Sequence, residues 1–169
     1  MTPNMTPLRY KIVPSPVGEL TLLASETGLA GVFWATRRND ALCHEKPSHD
    51  PQHPLLLEAE RQLKQYFAGD REVFELPLDL RGTTFQQRVW AELRQIPYGA
   101  TRSYLDIALQ LGDRNATRAV GTANGRNPVA IIVPCHRVLG ASGSLTGFVG
   151  GLEAKRWLLE HETPHGRLF

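Results

Sequence analysis

Cysteine is nearly absent from this sequence: there are two in 169 residues, Cys43 and Cys135. They are too few and too far apart for a disulfide framework, which excludes the stapled secreted scaffolds and suits a reducing compartment. No apolar run approaches the roughly 18–20 residues that cross a membrane. The opening MTPNMTPLRYKI has neither the basic start nor the continuous apolar stretch of a secretory signal, so a cytoplasmic location is expected. Excess charge is scarce as well, and a net of +2 does not announce a polyanionic partner. No glycine-rich loop of the phosphate-binding or dinucleotide type appears, and no cofactor is expected.

What charge there is lies unevenly. Residues 1–82 carry nine Lys and Arg against eleven Asp and Glu, whereas residues 83–169 carry ten against six, nine of the ten being arginine. Arginine suits bidentate phosphate contact and stacking, so the second half has the composition to meet nucleic acid. An uneven solvated surface would give the same count.

The first forty residues read as β structure. Arg9–Val13, Glu19–Ala24 and Leu29–Ala35 are short apolar or alternating runs, separated by the turn chemistry of Pro14–Gly18 and Ser25–Gly28. A three-stranded meander is the simplest account. Residues 36–54 are polar and rich in proline and histidine, and read mostly as loop. Within and beside that loop, Cys43, His44, His49 and His53 form the one metal-like cluster. Their spacing matches neither a paired CxxC site nor an HExxH helix, so no metal site is expected. Leu55–Ala68 has apolar residues at 56, 59, 63, 66 and 67 and a stop at Gly69, an amphipathic helix. Residues 70–82 read as a linker with a short extended piece.

The second half is helical in pieces. Thr84 and Gln87 fit a capping box, followed by Phe85, Val89, Leu93 and Ile96 on one face and a stop at Pro97. Ser103 caps a helix over Tyr104–Leu111 that Gly112 closes, and Asn115 caps another over Ala116–Asn124. Two short helices with Gly112-Asp113-Arg114 between them resemble a helix-turn-helix, although small residues in the second also serve plain helix packing. Val129–Val133 reads as a buried strand or core segment. Residues 139–151, with five glycines, read as a loop, and Glu153–Glu162 as a final helix with Ala154, Trp157, Leu158 and His161 on one face.

Cys135 sits directly after the buried segment, in Pro134-Cys135-His136-Arg137. A thiol reacts as its thiolate, and a neighbouring imidazole or cation lowers its pKa. From these four residues alone Cys135 reads equally as an activated nucleophile or an inert buried thiol. His136 would be the base, and a base needs a third group to fix its tautomer, for which Glu162 is the candidate acid. Sequence distance leaves an exposed helix-end carboxylate as the alternative for Glu162.

At this point a longer pattern becomes specific. NPVAIIVPCHRVLGASGSLTGFVGG, with TRSYLDIA and ATRAVGTANG before it and KRWLLEHE after it, resembles the O6-alkylguanine-DNA alkyltransferases over roughly residues 83–163. The early stretch SPVGELTLLASETGLAGVFW resembles that family's N-terminal domain more loosely. The resemblance implies that Cys135 is the alkyl acceptor and that His136 and Glu162 form its relay through a water. It makes Tyr104 the donor to the guanine ring and Arg118 the side chain that fills the gap left by an extruded nucleotide. Asn127 becomes a hinge between the second motif helix and the cysteine loop. Asn115, Ala119 and Gly121 join Tyr104, Arg118 and Asn127 on the DNA side, and Val138, Phe148, Val149 and Gly150 line the base pocket. Phe148 stands where related sequences usually place tyrosine, so an aromatic face remains without its hydroxyl.

The implied fold is α/β (α+β). A small N-terminal β-sheet domain with a helix and linker spans residues 1–82, and a mostly helical domain holding DNA binding and alkyl transfer spans 83–169. The implied function is single-turnover transfer of an alkyl group from O6-alkylguanine to Cys135, with O4-alkylthymine as a secondary candidate. The partner is alkylated double-stranded DNA, met from the minor groove by a monomer that has scope to assemble cooperatively along it. A lesion-binding relative without the thiol, a cysteine hydrolase and a sequence-reading helix-turn-helix regulator are the competing readings.

Overall fold

Three apolar runs separated by turn residues form an antiparallel meander of β1 (Arg9–Val13), β2 (Leu20–Ala24) and β3 (Leu29–Trp34). They are seen in a computed structural model that describes residues 7–34, 46–140 and 150–163. The turns set the register: Val13 pairs with Leu20, and Leu20 in turn with Trp34. β2 is central, and its Leu20, Leu22, Leu23 and Ala24 are all buried. A two-residue strand, β4 (Ser48–His49), lies parallel to β1 and completes the order β3-β2-β1-β4. The polar stretch read as loop thus supplies an edge strand, one too short for any alternation to reveal it. Cys43 and His44 lie outside the described residues. His49 sets its ring 5.1 Å from that of Tyr10, and His53 Nδ1 accepts from the Leu55 amide at the start of the next helix.

That helix, α1 (Pro54–Phe67), buries Leu56, Ala59, Leu63 and Tyr66 and packs against β1, β2 and β3. Its spacing is the one the sequence shows. Gln62 is also buried, and it holds both the amide and the carbonyl of Glu75, at 2.9 and 3.1 Å. The segment that read as a linker is therefore fastened. Its extended piece bridges Leu78 to Leu29, and Ser25 Oγ donates to Asp79 Oδ2 at 2.6 Å. Gly28 permits the approach: a Cβ there would lie 2.8 Å from the Pro77 carbonyl oxygen. The chain divides into two compact units at this point, residues 1–80 and 81–169.

The second unit begins with α2 (Thr84–Leu93), which buries Val89, Trp90 and Leu93. Its capping box is Thr83 with Gln86, one residue earlier than the pair expected from sequence. Both pairs have the required spacing. The chain enters over Gly82, where a Cβ would collide with the Trp90 ring, and that entry places Thr83 at the cap. Such a cap contributes about 1 kcal/mol. β5 (Arg102–Ser103) leads into α3 (Tyr104–Gln110), capped by a reciprocal Ser103–Asp106 box and closed at Gly112 with φ of 85°. α4 (Thr117–Gly125) follows and packs on both α2 and α3. Asn115 is not its cap, contrary to expectation. The Asp113 side chain captures the Asn115 amide at 3.0 Å, and the chain enters α4 through a 3-10 turn over Arg114–Ala116.

β6 (Val138–Leu139) pairs in parallel with β5, Arg102 opposite Val138 and Ser103 opposite Leu139. The final helix, α5 (Leu152–Glu162), buries Ala154, Lys155, Leu158, Leu159 and Glu162. This face is rotated from the expected one. Trp157 and His161 stack on each other at 4.7 Å along its margin, while a lysine and a glutamate take inward positions that a hydrophobic pattern cannot predict. The whole is an α/β architecture, a small sheet with one helix followed by a mostly helical unit. No helix among the described residues is long and apolar enough to cross a membrane.

Candidate active site around Cys135

Five consecutive apolar residues, four of them β-branched, would ordinarily extend as a strand. Val129–Val133 do not. The Val133 amide donates back to the Val129 carbonyl at 3.0 Å and Ile132 to Ala130 at 2.8 Å, winding the segment into a buried turn. Ile131 sits at φ of 73°, a region that β-branched residues rarely occupy and that costs on the order of 1–3 kcal/mol. Asn127 holds the turn closed: its Oδ1 accepts from the Val129 amide at 3.0 Å and its Nδ2 donates to the Val133 carbonyl at 2.7 Å. The hinge expected of Asn127 is thus a clamp on the segment that delivers the thiol.

Cys135, His136 and Arg137 follow as a 3-10 turn, all three buried. On one side, Asn124 of α4 reaches the Cys135 carbonyl at 3.4 Å. On the other, α5 brings Glu162 against the same turn. His136 Nε2 lies 2.7 Å from Glu162 Oε2, and Arg137 donates from Nε to Oε1 at 2.7 Å and from Nη2 to Oε2 at 3.0 Å. Glu162 is therefore no exposed helix-end acid. Arg137 also donates to the Ile96 carbonyl at 2.7 Å and lies over the Tyr98 ring.

These contacts fix protonation states. Burial works against ionisation of Glu162, but its His136 and Arg137 partners override it and hold the carboxyl at about 2. Burial pushes His136 the other way, below the ordinary imidazole range; the Arg137 and Lys155 cations add to that, and Glu162 opposes it without winning. An ionised carboxylate only accepts, so the neutral imidazole donates from Nε2 and keeps its lone pair on Nδ1. That Nδ1 is buried and has no hydrogen-bond partner among the described residues. The tautomer follows from these contacts, and Nδ1 is the ring nitrogen left able to accept a proton.

The thiol departs from expectation. Cys135 is 2% exposed, and burial pushes its pKa up, with Asn127 and then Lys155 working against that rise. The flanking Arg137 does not lower it, because its guanidinium is turned to Glu162. Sequence reasoning assigned the cation to the adjacent residue; the fold supplies it from α5. Lys155 is itself fully buried and donates to the Val138 carbonyl at 2.7 Å. It was missed because a lone lysine in a helix normally faces solvent, although the seven-residue interval to Glu162 was a readable sign of a shared face.

The other expected site residues lie on α3, on α4 and in the segments beside them and beside α5. Tyr104 begins α3, directly after the β5–β6 pairing, and its half-buried ring crosses α4 at Gly121, where a Cβ would rest 3.8 Å away. Arg118, Ala119 and Asn115 are exposed. Val138 is buried, and Gly150 is half-buried just before α5. Phe148 and Val149 lie outside the described residues. A concavity of about 520 Å³ opens between α2 and α3, lined by Glu92, Ile96, Ile107 and Gln110 among others, and Cys135 is not among its lining residues.

Fold and site together define a two-unit protein whose buried thiol, backed by an imidazole–carboxylate pair, follows a helix-turn-helix in the same unit. Residues 84–164 match the family described as 6-O-methylguanine DNA methyltransferase, DNA binding domain, and residues 8–80 match its ribonuclease-like domain. The chain belongs to this family. It is 60% identical over 155 residues to a methylated-DNA--protein-cysteine methyltransferase of Mycobacterium leprae, covering 92% of each chain. It is 44% identical over 157 residues to the constitutive enzyme of that name from Bacillus subtilis, covering 90% of this chain and 94% of the other. Among solved structures, Mycobacterium tuberculosis OGT in complex with DNA superposes with a TM-score of 0.83 at 49% identity, covering 93% of this chain and 96% of that one.

Proposed function

We propose that this protein repairs alkylated DNA by moving the alkyl group of O6-alkylguanine onto Cys135, once per molecule. The observation that carries the proposal is the buried His136–Glu162 pair, its imidazole in the same turn as Cys135, neutral and with Nδ1 available as a base. Sulfur attacks the alkyl carbon; the S–C bond forms as the C–O6 bond breaks. The thiol proton passes to His136, and guanine leaves as a neutral base protonated through Tyr104, the acid that a displacement at an unactivated carbon needs. A thioether offers water no leaving group, so the protein is consumed. A thiol that stays protonated while buried is shielded from stray electrophiles until a substrate engages the base.

The alkyl carbon of a stacked base is out of reach, so the nucleotide must be extruded at a cost of a few kcal/mol. Exposed Arg118 on α4 replaces the lost stacking, and small residues beside it let the helix backbone approach the minor groove. Residues 83–169 thus hold both binding and chemistry, in a monomer. The test is direct. The protein is incubated with duplex DNA containing O6-methylguanine, and the peptide carrying Cys135 is weighed by mass spectrometry. A single added methyl on Cys135 in stoichiometric yield is expected, and none in Cys135→Ser. Folded protein that leaves the lesion intact would falsify the proposal.

A further inference from the structure

Two buried side-chain atoms find no hydrogen-bond partner among the described residues: His136 Nδ1 and Asn124 Oδ1. The first is the base. The second has no task in the mechanism above, although a buried polar atom left unpaired calls for an account. Asn124 is the penultimate residue of α4 and only 3% exposed. Its Nδ2 donates to the Cys135 carbonyl at 3.4 Å. Because a carbonyl only accepts, that contact fixes which way round the amide lies, with nitrogen toward Cys135 and oxygen turned from it.

Donors beside it in the chain are spent elsewhere. The Trp90 indole N–H goes to the carbonyl of Ala123, the residue before Asn124, at 2.9 Å, and Asn127 Nδ2 goes to the Val133 carbonyl at 2.7 Å. Leucine has nearly the shape of asparagine and would pack here without an unpaired acceptor. An acceptor that the fold leaves unpaired suits a donor that arrives with a ligand, and the bond to Cys135 ties it to the residue that takes the alkyl group. The substrate offers one such donor. Alkylation at O6 removes the proton from N1 of guanine, so the exocyclic 2-amino group is the only hydrogen-bond donor the modified base keeps within a nucleotide. O4-alkylthymine keeps none, since its N3 has lost its proton as well.

We propose that Asn124 is a specificity-determining residue: its Oδ1 accepts from the 2-amino group of the extruded O6-alkylguanine as the alkyl carbon meets Cys135. The proposal rests on Cys135 being the alkyl acceptor. A base that carries a donor pairs the buried oxygen, whereas a base without one leaves it unpaired. A site of this kind rejects the second base far more strongly than an apolar wall would. Selectivity for guanine over thymine lesions then follows from one side chain of α4.

The test compares O6-benzylguanine with O6-benzylhypoxanthine, the same ether without the amino group, on wild type and Asn124→Leu. Any loss from the missing Cys135 bond falls on both substrates, and their inherent difference in reactivity is common to both proteins. The ratio of the two transfer rates therefore isolates the acceptor, and it should fall by roughly tenfold or more in the variant. The preference for O6-methylguanine over O4-methylthymine in duplex DNA should narrow with it. Equal slowing on both ethers, with the ratio kept, would mean that Asn124 only supports the Cys135 turn, and overturns the proposal. If Asn124→Leu does not fold, Asn124→Met takes its place. The two ethers are also titrated into Cys135→Ser, with the Asn124 side-chain amide followed by NMR. O6-benzylguanine should shift that resonance well beyond O6-benzylhypoxanthine, and equal shifts overturn the proposal. A wild type that transfers nothing sinks the functional reading instead, and this titration still decides the role of Asn124.

Discussion

Among the described residues, the first unit buries two polar side chains, Ser25 and Gln62, and the second buries six: Asn124, Asn127, His136, Arg137, Lys155 and Glu162. The first unit keeps its charges outside or at the margin, as in the Lys11–Glu60 pair at 2.6 Å. The second packs two cations, an anion and a neutral imidazole around one thiol. A sheet-and-helix unit of ordinary apolar packing gains stability from every buried side chain. A unit that buries ions loses on desolvation and regains it only while each partner is present. The difference marks where the chain trades stability for chemistry, and it can be broken at either end.

The largest effect should come from Glu162→Ala. It strands Arg137, buried against Ile96 and Tyr98, and deprives His136 of the acceptor that fixes its tautomer. Removing one partner of a buried ion pair costs roughly 3–5 kcal/mol, and losing an oriented base slows transfer by roughly a hundredfold or more. Chemical denaturation and single-turnover kinetics measure the two losses separately. A cost under about 1 kcal/mol would mean that the buried array is not held together by this carboxylate.

Acid should separate the units next. The Glu162 carboxyl is depressed in the fold from its ordinary value to about 2, so the stability it confers is complete above about 4.5 and disappears as pH falls from there toward 2. That amounts to about 3 kcal/mol. His136, held neutral by burial, works in the same direction from nearer pH 6.5, since the unfolded chain takes up a proton that the folded one refuses. In the first unit Glu60, near the surface beside Lys11, is lowered too, but its pair is screened by salt. Amide exchange should therefore accelerate in α5 before β2 on acidification, and added salt should not reverse the order. Simultaneous loss in both helix and strand would refute the assignment of this sensitivity to Glu162.

The sequence showed the meander, α1, the helix-turn-helix and the thiol with its imidazole, because each rests on local periodicity, turn residues or adjacency. What it withheld was long-range. Glu162 lies 26 residues from His136, and only the packing of α5 brings them to 2.7 Å. The run 129–133 read as a buried strand or core segment; local propensity favours the strand, and the clamp at Asn127 decides for a buried turn. The buried face of α5 was misread for a related reason: Lys155 and Glu162 point inward to serve the turn, while Trp157 and His161, apolar by pattern, take the margin. Polar groups buried for function break the rule from which burial is inferred.

Arg118→Ala sharpens the comparison within the second unit, between surface and interior. Arg118 is exposed and lies away from the buried cluster, so stability should stay within about 0.5 kcal/mol of wild type. Transfer from duplex DNA should slow roughly tenfold, since the side chain offsets part of the cost of extruding a nucleotide. Transfer from free O6-benzylguanine, which needs no extrusion, should be unchanged. Equal slowing on both substrates would remove Arg118 from the extrusion step.

The smallest effect is expected in the first unit, at Gln62→Met. This substitution keeps the length and burial of the side chain but gives up both hydrogen bonds to Glu75. Elsewhere, deleting a buried polar group strands its partner in the interior. Glu75, however, is exposed, so water can take over its backbone amide and carbonyl, and the net loss is about 1 kcal/mol. The methionine also gains some apolar contact against Leu63 and Tyr66 on the same helix face, which trims the loss further. Denaturation should detect a shift this small, with faster amide exchange between residues 70 and 79 as the chain there loosens. The alkyl transfer rate should not move, and a change in that rate would mean the first unit shares in the chemistry that its buried residues otherwise leave to the second.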